Sequence, residues 1–197
     1  MSCSNPIDAA VLGDYWLGAL PGPEEETTEA HLLGCGQCGD RLRDVIALAE
    51  GIRDLARGGS LRLIVSDTFL RLAAQEGLQV REYAPPPGGS VQCTVTAEDD
   101  ILVARLAADL RDARRVDLSL CDWEGVEQFR LPDIPVHPGA SGVVYQESIT
   151  MAKGLPASRI MARLIAYNAT GNERVLAEYR FIHTPSPGSL PPAQSEL

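Results

Sequence analysis

The stretch Glu29-Ala30-His31-Leu32-Leu33-Gly34-Cys35-Gly36-Gln37-Cys38 sets three side chains that can ligate a metal in a His-x3-Cys-x2-Cys pattern. Two cysteines three positions apart at the start of a helix aim their sulfurs at a common centre. A histidine one turn before the end of the preceding helix reaches that centre from the other side. The spacing is among the short-range ligand spacings of structural zinc, so a zinc ion held by three ligands from one corner is expected. A redox Cys-x-x-Cys is the competing reading, because such pairs are nucleophilic where their thiolates are stabilised. Here the flanks read as helical on both sides, and the strand that precedes the pair in a thioredoxin-like unit is missing.

Upstream, Asn5-Pro6 offers an N-cap followed by proline at the first helical position. Ile7, Val11 and Tyr15 then recur at intervals of four, with Leu12, Trp16 and Leu20 as a second apolar row. Pro21-Gly22-Pro23 should end this helix near Leu20 and open the next, whose first turn carries Glu24, Glu25 and Glu26 where the free backbone N–H groups favour negative charge. Gly34 reads as the C-terminal cap of that second helix. A third is expected from about Gln37 to Arg57, with Leu42, Val45, Ile46, Ala49, Ile52 and Leu55 on one face. Three short-looped helices of alternating direction bring the start of the first, the end of the second and the start of the third to one end of a bundle. Cys3 is the cysteine or histidine nearest that end and is assigned as the fourth ligand, with Asp8 or a water as the alternative. Three thiolates and one imidazole on zinc make a closed site of net charge about −1, structural rather than catalytic.

These residues resemble the zinc-binding anti-sigma factors, whose domain is a small helical bundle with a His-x3-Cys-x2-Cys signature. The resemblance covers residues 3–57 and includes Tyr15-Trp16-Leu17-Gly18-Ala19-Leu20 in the place of the family's Tyr-x-x-Gly-x-Leu segment. It implies a bound Zn2+ and, as partner, an extracytoplasmic-function sigma factor whose polymerase-binding surfaces the domain hides. It also implies a further helix after the bundle that helps to grip the partner. Members can carry a β-rich sensory half, in some a cupin with its own metal site. That site needs clustered histidines, whereas His137 and His183 stand alone and read as loop or strand-end residues.

Arg57-Gly58-Gly59-Ser60 reads as a flexible joint. Ser66-Asp67 can then cap a short helix running to about Glu76 and closed by Gly77; it is the candidate for the extra gripping helix, or else a lid on the next domain. From Leu78 the rhythm becomes alternation: Val91, Cys93 and Val95, then Val116, Leu118 and Leu120, then a hairpin of Ile160 to Tyr167 with Val175, Ala177, Tyr179 and Phe181, turning at Ala169 to Asn172. Residues Ile101 to Leu110 also fit a helical face and are assigned to strand from their neighbours. About eight short strands with such turn spacing suggest a β-sandwich, and Cys93 and Cys121 read as small core side chains. The expected fold is therefore α+β in two domains: a zinc-binding helical bundle over 1–57, a linker and short helix over 58–77, an antiparallel β-sandwich over 78–183 and a disordered tail over 184–197.

A formal charge of −10 and a pI near 4.7 argue against a phosphate-binding surface, so no direct contact with nucleic acid is expected. The cations are sixteen arginines and one lysine, Lys153, which suits carboxylate pairing. No run of eighteen apolar residues occurs and Met1 is followed by polar residues, so neither a membrane span nor a secretory leader is expected, and the cytoplasm is the expected compartment. Five cysteines without a leader fit reduced thiols and a metal better than a disulfide framework. The chain has no Gly-x-Ser-x-Gly elbow, Gly-rich phosphate loop or His-Glu-x-x-His, so an enzyme is not expected. The leading functional expectation is an anti-sigma factor with a sensing or relaying β domain. The alternative is a zinc-stabilised interaction adaptor unrelated to sigma factors, and either could be thiol-redox responsive through Cys3, Cys35 and Cys38.

Overall fold

The computed structural model describes residues 3–111, 113, 115–136, 139–167 and 171–186 of the chain. They form an α+β structure of two compact units, Met1–Leu55 and Ala56–Leu197. His137, the start of the hairpin turn and residues 187–197 of the expected tail lie outside the described residues.

The first unit is built on helices α1 (Ala9–Trp16), α2 (Gly22–Gly34) and α3 (Gly36–Arg57), the last of which runs on to Arg57 in the second unit. Helix α1 is shorter at both ends than the sequence suggests. Asp8, rather than Asn5, is its N-cap, and its carboxylate accepts the Ala10 N–H at 2.8 Å. It stops at Trp16 because Gly18 takes the left-handed conformation, φ 65°, which glycine adopts without a Cβ penalty. The Gly18 and Ala19 N–H groups then turn back onto the carbonyls of Tyr15 and Asp14, closing the orphan carbonyls of the last turn. Pro21-Gly22-Pro23 starts α2 as expected, with Glu24 and Glu25 in its first turn. Arg53 lies over the Trp16 ring, 5.5 Å from its centroid, tying α1 to α3. Leu42, Val45, Ile46 and Ala49 of α3 are half-buried, while Ile52 and Leu55 on the same face are exposed.

The second unit adds helices α4 (Asp67–Gln75) and α5 (Ile149–Gly154) and nine strands. The strands are β1 (Leu63–Ile64), β2 (Val80–Tyr83), β3 (Ser90–Cys93), β4 (Ile101–Ala107), β5 (Arg115–Cys121), β6 (Glu127–Ile134), β7 (Gly142–Glu147), β8 (Ser158–Tyr167) and β9 (Glu173–His183). They make two sheets, ordered β1-β7-β4-β2 and β3-β9-β8-β5-β6. The expectation of antiparallel strands is corrected, because β2 runs parallel to β4 and β3 parallel to β9, leaving both sheets mixed. The cause is the path of the chain. After β2 it crosses to the other sheet to lay down β3 and returns for β4, and parallel neighbours require such a crossover in place of a tight turn.

Strand β4 settles the ambiguous stretch: Ile101, Val103 and Leu106 are buried and the segment pairs with β7 along its length. The hairpin of β8 and β9 is antiparallel, with one irregularity between Leu164 and Ile165. A core gathers around Leu118, Leu164, Tyr145 and Tyr179, drawing on both sheets. Ser66 caps α4 as expected, accepting the Phe69 N–H at 3.1 Å. Leu70 and Ala73 of that helix are buried with Val65, Ile101, Val103 and Val144, so α4 packs on the first sheet. Beyond His183 the pairing continues, since the Thr184 N–H donates to the Cys93 carbonyl at 2.9 Å.

The outer face of β5 is polar but satisfied. Asp117, fully buried, accepts from Arg115 at 3.1 and 3.2 Å, from the Tyr167 hydroxyl at 3.0 Å and from the Asp133 N–H at 3.0 Å. Arg130 links the same carboxylate, at 3.4 Å, to Glu127 and Glu173. Burial alone would raise the Asp117 carboxyl, but the Arg115 guanidinium, the Asp133 N–H and the Tyr167 hydroxyl together hold it below the ordinary aspartate range.

Candidate metal centre

Cys3, His31, Cys35 and Cys38 meet at one end of the helical unit, their ligand atoms all within 4.8 Å of one another. Each arrives by a different local device. His31 stands in the last turn of α2, and Cys35, four residues on, is the C-cap of that helix in extended conformation (φ −129°, ψ 97°). The extended turn at Cys35 lets the chain start α3 at once, and Cys38 in its first turn is fully buried. Cys3 comes from the segment ahead of α1, where its N–H donates to Gln37 Oε1 at 2.6 Å. Gln37 lies between the two cysteines of the motif and thus anchors the distant ligand.

The Cys3 and Cys38 sulfurs are 3.9 Å apart, and Cys3 Sγ is 3.5 Å from His31 Nε2. A tetrahedral ion with metal–sulfur bonds of about 2.3 Å and metal–nitrogen bonds of about 2.0 Å has edges of about 3.8 and 3.5 Å. Those two separations match the edges of a tetrahedral coordination shell, and no pair of ligand atoms is more than 4.8 Å apart. Three sulfurs and an imidazole suit a soft or borderline ion, zinc among them.

The backbone prepares these thiols for a cation. The Cys38 N–H, directed at the Cys35 sulfur, is the main cause that draws the Cys35 thiol down to about 7, with Cys3, His31 and Cys38 side chains adding to it against burial. At neutral pH such a sulfur is readily a thiolate, the form that binds metal. For Cys3 the Asn5 N–H pulls the other way from the net result: burial and the neighbouring Cys35 and Cys38 thiols leave it raised. Three sulfurs this close cannot all ionise without a positive charge among them, and a metal ion supplies it. All five cysteines of the chain are free thiols.

Asp8, the alternative to Cys3, is not in the cluster, because its carboxylate caps α1. Sequence reasoning missed Gln37 and the Asn5 N–H, which support Cys3 rather than ligate. The position of Gln37 inside the Cys-x-x-Cys was the available signal. Cys121 is buried and Cys93 half-buried on their strands, and His183 is the buried last residue of β9.

No family model and no curated protein matches the chain. Among solved structures, the N-terminal domain of phage TP901-1 ORF48 is similar at 9% identity over 54% of this chain and 97% of that chain, with a TM-score of 0.31, too slight a likeness to speak for a shared fold. Among the described residues no helix is long and apolar enough to cross a membrane.

Proposed function

We propose that the protein is an anti-sigma factor whose helical unit, held together by zinc, binds and sequesters an extracytoplasmic-function sigma factor. The carrying observation is the cluster of Cys3, His31, Cys35 and Cys38, its ligand atoms within 4.8 Å of one another in a small helical unit. A closed four-ligand shell leaves no open position for substrate, which favours a structural ion and a binding role over catalysis. The surface of the same unit supports the reading. Leu33 is 86% exposed, Leu17 and Leu48 are each 66% exposed, and Ile52 and Leu55 are about half exposed. Over residues 1–57 four arginines stand against ten acids, a net charge of −6. Apolar side chains in an acidic field suit a basic amphipathic partner helix and repel nucleic acid. In this reading the protein acts in the cytoplasm, and the β unit receives or relays a signal.

The exposed leucines equally support a second reading, a zinc-stabilised adaptor for a partner outside transcription initiation. Co-purification of the zinc-loaded full chain with an extracytoplasmic-function sigma factor of the same genome separates the two. A stable complex that represses the sigma factor's promoters is the expected result. A folded, zinc-loaded chain that leaves the sigma factor free overturns the first reading in favour of the second.

A further inference from the structure

Within the β unit, one row of polar side chains runs across three neighbouring strands. Cys93 of β3 pairs with His183 of β9, and His183 pairs with Ser158 of β8. Residues directly opposite on adjacent strands project from the same face, so thiol, imidazole and hydroxyl stand side by side. All three line a cavity of about 80 Å³ whose walls come from both sheets and α5, including Val95, Leu102, Leu155, Ile160 and Phe181.

The wall is apolar except at this row and at Tyr83, Tyr145 and Glu147. His183 is only 8% exposed, and its Nε2 and the Ser158 Oγ are buried without any hydrogen-bond partner. Buried polar atoms are normally paired, and leaving two adjacent ones unpaired is costly unless something else completes them. The other polar wall residues are accounted for. Glu147 is engaged by Arg62, the Ser148 N–H and the Tyr145 hydroxyl, and the Tyr83 hydroxyl holds the Thr94 backbone. Burial pushes the Cys93 thiol up, so it contributes a neutral, weakly polar surface and no nucleophile.

We propose that this cavity binds a compact neutral molecule, apolar over most of its surface, with a single hydroxyl or carbonyl held by His183 and Ser158. Neutrality follows from the wall, where no charge is left over to compensate a buried ion. The volume is about half that of an engineered apolar cavity of about 150 Å³ that accepts benzene, and the cavity is not fully enclosed, so the ligand is small or extends through the mouth. The rival occupant is a single water bridging the two orphan atoms. The proposal stands independently of the sigma-factor reading and of the metal.

Phenol and toluene, equal in size and different only at the polar group, provide the test on the full zinc-loaded chain by amide NMR titration. Phenol is expected to shift the Cys93, Ser158 and His183 amides saturably and to bind at least about 5-fold tighter than toluene, the size of one hydrogen bond. Ser158→Ala should bring the two probes to within about 2-fold while toluene binding stays unchanged, and His183→Leu serves the same purpose if that variant fails to fold. Equal affinities in the wild type, or no saturable shift with either probe, would overturn the proposal and leave water as the partner of the row.

Discussion

Up to residue 55 the described chain buries only Leu12, Thr28 and Cys38, whereas the β unit encloses an eleven-residue cluster around Leu118, Leu164 and Tyr179. The helical unit has one apolar side chain and one metal-ligating thiol where the other has a packed interior. About 55 residues rarely stay folded on burial alone, and a coordinated ion is the usual remedy. The β unit has enough enclosed apolar surface to stand by itself. On the proposed function, one chain joins a region organised around a four-residue metal site to a region organised by packing, and each should fail by its own route.

The sharpest way to break the contrast is to remove the ion. Structural zinc contributes about 10–16 kcal/mol in zinc-finger peptides at neutral pH. A strong chelator, or Cys38→Ser, should therefore abolish amide protection in α1 and α2 while protection in β5 and β8 is unchanged, as read by hydrogen exchange. Protection that survives in α1 and α2 without metal would dissolve the distinction. The reverse experiment is Leu118→Ala, which opens a cavity in the β core. It should lower the stability of the β unit by about 3 kcal/mol in denaturant titration and leave metal content at one ion per chain.

A third comparison uses acid. The Asp117 carboxyl is depressed in the folded chain, so its contribution is fully present above its unfolded value, about 3.9, and is lost as pH falls through the lower folded value. Asp99 behaves alike: burial would raise it, but the Thr96 N–H and the Arg81 guanidinium hold it down. The β unit should therefore weaken only below about pH 4, whereas the helical unit should release its ion at a higher pH, because protons compete with the metal for thiolates and imidazole. Asp117→Asn should cost the β unit about 2 kcal/mol, because its arginine partners are partly exposed and regain water. The smallest expected effect is Gly18→Ala. A Cβ there meets nothing within 4 Å, so only the left-handed backbone is penalised, by about 1 kcal/mol at the end of α1.

The metal cluster was legible because its chemistry is local. Three of its members lie within eight residues, and their spacing, once α2 and α3 are accepted as helices, leaves the side chains little choice of direction. Cys3 followed from helix directions alone. The ends of α1 were not legible, since Asn5-Pro6 and Asp8 are both competent caps and only tertiary placement chooses between them. In the β unit, alternation revealed the strands but not their partners. Hydrophobic period fixes which face is buried and carries no record of the neighbour, so nothing in the alternation shows that the edges β2 and β3 run parallel. Helix α5 was hidden because six residues ending in Gly154 look like a turn. The pairing of Ser158 with His183 is likewise a property of register, invisible in either segment alone.

The parallel pairing of β3 with β9 has a consequence for synthesis. Cys93 waits for His183, ninety residues later, before its edge of the sheet has a neighbour. On the ribosome the four metal ligands, all within residues 3–38, are therefore available long before that edge can close. The nascent chain passes through a period in which its first 55 residues can be complete, with the candidate ligands in place, while unpaired strands behind them await the last to emerge, and during that interval chaperones have most to protect.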